Sequence, residues 1–324
     1  MAITSIDTDH DELTTTIVAE FPVPVTRLWQ AYVDPQQIEK FWGPPTWPAT
    51  FTRHDVRPGG RSEYHMTGPD GEKAGGFWEF VSVDPPRAFE VRDGFANDDG
   101  TPNTELPGMR MDFEFTETDS GSRLTTTTYF TSPDALEHLL EMGMLEGTRE
   151  AMGQIDNVVT DDAAFDDSQP AQLQNLDDVT VRISRVLHGT PEKIWQAHHE
   201  PDIMRQWLLG PDGWHMPVCE IGVEPGDTYR YEWETDAGED RFGCTGEILE
   251  TVAPYREVAT EAMIGMEGPG TVNAMNLTEV ANGTLLTVVI TYPSRELRDT
   301  VVATSMVDGM ELSYARLESK VLAP

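Results

Sequence analysis

The sequence predicts an α+β protein of two tandem domains. Each domain is a curved antiparallel sheet wrapped around a long C-terminal helix, with two short helices after the first strand. Three observations carry this. One pattern occurs twice, about half the chain apart: Trp29-Gln30-Ala31-Tyr32-Val33-Asp34-Pro35 and Trp195-Gln196-Ala197-His198-His199-Glu200-Pro201. After each comes a series of segments with strand-like alternation, separated by turn residues. Each copy then ends in a helical stretch with a Met and a Gly three apart, Met144/Gly147 and Met306/Gly309. A repeat this long is a duplicated domain, because each copy is large enough to bury its own core.

The elements follow in order. Residues 14–21 alternate and are rich in β-branched side chains, which reads as a strand. From Pro24 to Ala31, Val25, Leu28 and Trp29 recur at helical spacing. The second copy repeats this over 179–187, with Thr190 as N-cap and Pro191 at the first helical position. A second short helix follows over 35–42 and 201–208. Six strands are then expected in each copy, over 50–56, 62–67, 76–83, 88–93, 109–116 and 124–131, and over 217–223, 228–234, 243–251, 257–262, 271–279 and 285–292. Gly68-Pro69-Asp70-Gly71 and Asn282-Gly283 mark turns. Single helices are expected over 133–158 and 295–321. A glycine inside such a helix costs roughly 1 kcal/mol. It marks close approach of another element or room left for a ligand.

The expected organisation is a disordered polar N-terminus over 1–12, a first domain over 13–160, an acidic linker over 161–176 and a second domain over 177–324. A chain of 324 residues agrees with two domains. No apolar run approaches a membrane span, and the N-terminus has neither the basic nor the apolar region of a signal peptide. Two cysteines, Cys219 and Cys244, make no disulfide framework, so a cytoplasmic location is expected. The net charge of −35 argues against nucleic acid and anionic membranes as partners, because phosphates are repelled. Nothing clusters the acids into one face, so the charge reads as a solvated surface.

Several motifs together carry a family resemblance. In the second copy these are Arg185-Val186, Pro191 to Ala197, Pro201, Trp207, Gly210-Pro211, Cys219-Glu220-Ile221, Glu224-Pro225-Gly226, the Glu247/Pro254/Arg256 run, and Met306 with Gly309. In the first copy they are Trp29, Asp34-Pro35, Phe41-Trp42-Gly43-Pro44, Arg57-Pro58-Gly59-Gly60, Glu79, Pro85-Pro86-Arg87, Glu117, Met144 and Gly147. They resemble the START-like (SRPBCC, Bet v 1-like) superfamily, and within it the C-terminal domain of the activator of Hsp90 ATPase family. The resemblance implies a helix-grip fold. Its members range from lipid carriers to receptors and cyclases, so fold alone does not name a function. The eukaryotic activator's own N-terminal domain has no counterpart motif, which leaves a chaperone partner weakly supported.

A curved sheet around a helix leaves a concave apolar volume suited to a hydrophobic or amphipathic small molecule. Alternation places Tyr229, Tyr231 and Trp233 on one face of a strand, beside Cys219 on its neighbour and opposite Met306 and Met310 on the closing helix. In the first copy the equivalents are Tyr64 and Met66 with His54, opposite Met144. These residues form the candidate cavity linings. A packed core with locally satisfied tyrosines accounts for the same pattern. His54 beside Tyr64 fits a general acid/base or a hydrogen-bonded core histidine, and no catalytic residue is assigned. His188, His198, His199 and His215 with the two cysteines match no zinc spacing, and no cofactor motif occurs, so no metal and no cofactor are expected. Non-catalytic small-molecule binding is the leading expectation. A cyclase- or hydrolase-like enzyme and a co-chaperone-like interaction module are the alternatives.

Overall fold

A computed structural model describes residues 3–97, 100–161 and 167–323. The chain divides into two compact units, Met1–Asp166 and Asp167–Pro324.

The first unit runs β1 (Ile3–Asp9), β2 (Thr14–Phe21), α1 (Val25–Val33), α2 (Pro35–Ile38), β3 (Ala49–His54), β4 (Arg61–Thr67), β5 (Lys73–Asp84), β6 (Ala88–Ala96), β7 (Met109–Thr118), β8 (Gly121–Phe130), α3 (Pro133–Glu141), α4 (Met144–Met152) and α5 (Ile155–Val159). Its eight strands pair antiparallel in the order β1-β2-β8-β7-β6-β5-β4-β3. In β2, Thr15, Ile17, Ala19 and Phe21 turn inward on alternate positions. α1 buries Leu28, Trp29 and Tyr32 along one stripe, and the rings of Trp29 and Tyr32 meet those of Phe89 and Phe115. Asp34 then starts α2 by accepting from the Gln36 N–H at 2.8 Å.

The second unit repeats the plan with β9 (Gln172–Asn175), β10 (Thr180–Leu187), α6 (Pro191–His199), α7 (Pro201–Trp207), β11 (Trp214–Glu220), β12 (Thr228–Thr235), β13 (Arg241–Val252), β14 (Arg256–Met263), β15 (Thr271–Val280), β16 (Gly283–Thr291), α8 (Arg295–Val302) and α9 (Met306–Leu317). Its sheet order is β11-β12-β13-β14-β15-β16-β10-β9. Thr190 caps α6 as its sequence suggests, its side chain accepting from the Lys193 N–H. The core gathers Ile183, Leu187, Ile194, Trp207, Leu286 and Leu317.

Three expectations change. Residues 3–9, expected without structure, form edge strand β1 on β2, with Ile6 opposite Ile17 and Thr8 opposite Thr15. Residues 172–175, expected within the linker, form edge strand β9 on β10, and Ala171 is buried with its N–H donating to Glu311 at 2.7 Å. Both strands are mostly polar because one edge stays in water. Backbone pairing rather than apolar alternation holds them, so the usual strand signal is missing. Linker residues 162–166 lie outside the described residues. The third change concerns the closing helices, each of which is segmented. Gly143 adopts φ +85° between α3 and α4, and Ser305 adopts φ +59° between α8 and α9. A left-handed residue cannot continue a right-handed helix. The last turn of the second unit, Glu318–Leu322, is π-helical. Among the described residues no helix is long and apolar enough to cross a membrane.

Candidate ligand cavity

The first unit holds a partly open cavity of about 370 Å³ between its sheet and α3–α5. Strand alternation builds the floor. Thr15 and Ile17 come from β2, Thr126 and Thr128 from β8, Met109, Met111 and Phe113 from β7, and Tyr64 and Met66 from β4. Leu139, Met144, Met152 and Ile155 close it from the helices, and Tyr32, Phe41 and Trp42 close one end. Gly147 of α4 also lines the cavity, and a Cβ built there meets open space. The glycine pattern in this helix therefore marks room rather than close approach.

One carboxyl group faces this apolar volume. Asp93 sits on β6 in phase with Phe89, Val91 and Phe95, opposite Trp78 of β5. The Trp78 indole N–H donates to Asp93 Oδ1 at 2.8 Å, and the Tyr64 hydroxyl lies 3.4 Å from the same oxygen. Burial pushes the Asp93 carboxyl up to about 7, against the opposing pull of the two donors. Burial likewise raises the Tyr64 hydroxyl well above its ordinary value, with Asp93 adding to the rise. The Trp42 indole N–H opposes that rise by its approach to Tyr64, yet it reaches no acceptor in hydrogen-bond geometry and stays buried.

The structure brings Tyr64, Met66 and Met144 together on the cavity wall. His54 is placed elsewhere. It is 5% exposed and absent from the lining, with Nε2 2.9 Å from the Tyr32 carbonyl and Nδ1 2.8 Å from Ser62 Oγ. A carbonyl only accepts, so Nε2 carries a proton and donates to it, while Nδ1 pairs with the serine hydroxyl. This is the hydrogen-bonded core histidine.

In the second unit Tyr229, Tyr231 and Trp233 do share one face of β12, with ring centroids 4.9 and 6.2 Å apart in succession. The polar atoms of Tyr229 and Trp233 are used locally. The Tyr229 hydroxyl donates to the Thr260 carbonyl at 2.8 Å, and the Trp233 indole to the Leu208 carbonyl at 2.7 Å. Cys219 is buried 3.6 Å from Met204 Sδ. Met306 and Met310 pack instead against the cluster containing Ile183, Trp207 and Leu286, and Met306 Sδ lies 3.9 Å from the Tyr292 hydroxyl. The expected facing of aromatics and methionines is thus divided between two packed clusters.

The two units differ by a size exchange across neighbouring strands. Ser62 faces Trp78 in the first, whereas Tyr229 faces Gly246 at the same place in the second. Asp93 has a second-unit counterpart, Glu261, flanked by Cys244, Asn273 and Tyr229 and raised by burial. Sequence reading missed Asp93 because the expected strand ended on it. The signal present was parity, since residues 89, 91, 93 and 95 alternate inward.

An antiparallel sheet gripping a segmented C-terminal helix, present twice, defines a tandem helix-grip protein of the α+β class. The family model described as Activator of Hsp90 ATPase homolog 1-like protein matches residues 22–160 and 188–321, and the chain belongs to this family. Among solved structures it is similar to protein Ms6760 from Mycobacterium smegmatis, at 52% identity over 49% of this chain and 98% of that one, with a TM-score of 0.46. It is also similar to a protein from Arthrobacter aurescens, at 43% identity over 49% of this chain and 93% of that one, with a TM-score of 0.48. A search of curated proteins found no match.

Proposed function

We propose that the first unit binds a hydrophobic or amphipathic small molecule, non-covalently, in the cavity between its sheet and α3–α5. The observation that carries this reading is the cavity itself. Its volume of about 370 Å³ falls within the range of small-molecule sites, roughly 300–1,000 Å³, and its lining is apolar with a few convergent polar groups. Six methionines contribute, Met66, Met109, Met111, Met142, Met144 and Met152, and flexible thioethers conform to irregular ligands. His54, the acid/base candidate of the sequence, lies outside the cavity lining. The test is titration with an apolar fluorescent probe, together with native mass spectrometry of protein from its own host. A saturable probe site or a co-purified small molecule supports the reading. Absence of both overturns it.

A second reading rests on the second unit. Met263, Ile264 and Met266, at the end of β14 and just beyond it, are 41, 41 and 75% exposed. Clustered exposed apolar side chains suit contact with another protein. If that is their role, Met266→Glu abolishes co-purification of a specific partner and leaves probe binding in the first unit intact.

A further inference from the structure

We propose that the ligand of the first-unit cavity is a hydrophobic amine, an apolar body with a single protonated nitrogen seated against Asp93. This rests on the small-molecule reading above and specifies its chemistry.

The composition of the wall is the first argument. Among the described lining residues, Asp93 is the one carboxylate, and no lysine, arginine or histidine faces the cavity. Both recorded donors to Asp93 are neutral, and both approach Oδ1. A carboxylate in an apolar wall without a cation is costly unless a positive group arrives to compensate it. An anionic ligand would meet repulsion there, and a wholly apolar one would bring no positive charge to the carboxylate.

The aromatic surroundings are the second argument. Tyr64 reaches Asp93 through its hydroxyl, and Trp42 meets Tyr64 edge to face with centroids 6.2 Å apart. Phe95 follows Asp93 on the same face of β6. Rings beside a carboxylate favour a cation through their negative faces. Over longer range, the net charge of −35 raises the local concentration of cations.

The position is also used twice. Glu261 occupies the equivalent place on β14, half-buried and flanked by the neutral Cys244, Asn273 and Tyr229. A solvated surface does not account for two inward carboxylates at one register position.

Titration follows from the geometry. Among the described residues facing the cavity from the sheet, α1 and the closing helices, only Asp93, Tyr32 and Tyr64 titrate, and burial raises both tyrosines so that they stay neutral. Asp93 ionises near 7. An alkylamine stays protonated to roughly pH 10, as lysine does. Amine affinity therefore rises as pH increases through about 7, while a neutral analogue gains nothing from that ionisation.

The test uses three matched probes on the full chain, 4-phenylbutylamine, 4-phenylbutan-1-ol and 4-phenylbutyrate. Titrations are run in about 0.5 M salt, so that the acidic surface is screened within a few ångströms. Near pH 8 the amine is expected to bind at least about tenfold more tightly than the alcohol, with the carboxylate weakest. Asp93→Asn keeps the Trp78 hydrogen bond and is expected to lower amine affinity about tenfold, with the alcohol changing less than about threefold. Alcohol binding equal to the amine, or an amine preference that survives Asp93→Asn, overturns the amine proposal and leaves the cavity reading standing. Failure of all three probes overturns the amine proposal, and the fluorescent probe and native mass spectrometry then decide the cavity reading separately. If the variant does not fold, the wild-type pH series decides alone, since an amine affinity that is flat from pH 6 to 8 overturns the proposal.

Discussion

Trp78 and Asp93 stand opposite one another on β5 and β6, and the indole N–H donates to Asp93 Oδ1 at 2.8 Å. Trp78 is fully buried, so this donor has no water to fall back on, and the carboxylate is the acceptor it requires. The hydrogen bond fixes one oxygen against the sheet. It also explains why an acid is tolerated in this wall, because removing it outright would orphan the tryptophan. Ser62 across β4 is small enough to leave the indole its place.

The Asp93 carboxyl titrates near 7 in the folded unit, raised from the ordinary value of an unfolded aspartate, about 3.9. A raised carboxyl binds its proton more tightly when folded. Its contribution to stability is full below the unfolded value and is lost as pH rises through the folded one. Asp93→Asn should therefore match wild type near pH 4 and exceed it near pH 8 by about 1–2 kcal/mol, less than the full shift implies because water reaches the group through the cavity. Urea denaturation at the two pH values measures this, and a variant less stable near pH 8 contradicts it.

Gly246 offers a packing test. A Cβ there would lie 1.8 Å from the Thr260 carbonyl oxygen and 2.6 Å from Tyr229 Cε1. Neither the sheet backbone nor the wedged ring moves freely. Gly246→Ala should destabilise the second unit by about 2–4 kcal/mol, against about 0.5 kcal/mol or less for a change at an open surface site. A melting curve indistinguishable from wild type would mean that Tyr229 has an alternative seat.

Much of the fold was legible because it depends on patterns with strong signals. The alternation in β2 reflects burial on a fixed period, the Thr190-Pro191 start reflects a capping hydrogen bond and a preset proline φ, and the repeat shows both in two copies. The edge strands were not legible, since β1 and β9 are held by backbone pairing and their side chains mostly face water. The helix breaks were half legible. Gly143 is an ordinary left-handed residue, whereas Ser305 adopts the same conformation with no glycine to announce it. For the cavity, Tyr64, Met66 and Met144 followed from parity and helical spacing. Trp42 and Tyr32 did not, because their contribution depends on how a loop and a helix close over the sheet.

The edge strand sets where a stable second unit begins. We expect a fragment of residues 167–324 to unfold cooperatively on its own. A fragment of 177–324 omits β9, Ala171 and the Ala171 N–H bond to Glu311, which also accepts from Arg185. It should be less stable by about 2–3 kcal/mol, from one exposed strand edge and a lost charge-assisted hydrogen bond. Equal midpoints in denaturant would show that β9 is dispensable.

Charge predicts a salt response. Of the 324 residues, 57 are acidic and 22 are Lys or Arg, so most carboxylates lack a basic partner. Their mutual repulsion is screened as the Debye length falls from about 30 Å at 0.01 M to about 3 Å at 1 M. The melting temperature should rise across that interval near neutral pH. A flat profile would show that the surface charges are already compensated.

Gly147 separates the cavity as a ligand site from the cavity as unused space. It lies inside α4, lines the cavity and has open space where a side chain would begin. Gly147→Ala should stabilise the first unit by about 0.5–1 kcal/mol, since alanine restricts the unfolded chain and suits a helix. Its single methyl should reduce probe affinity only slightly. Gly147→Leu retains most of the helix gain and projects a branched side chain into the volume. It should lower the affinity of an apolar fluorescent probe at least about tenfold, roughly 1.4 kcal/mol, with the melting temperature unchanged or raised. Stability and affinity then move in opposite directions, which a structural defect does not produce. If the leucine variant binds the probe as tightly as wild type, the probe sits elsewhere and the cavity is not the site.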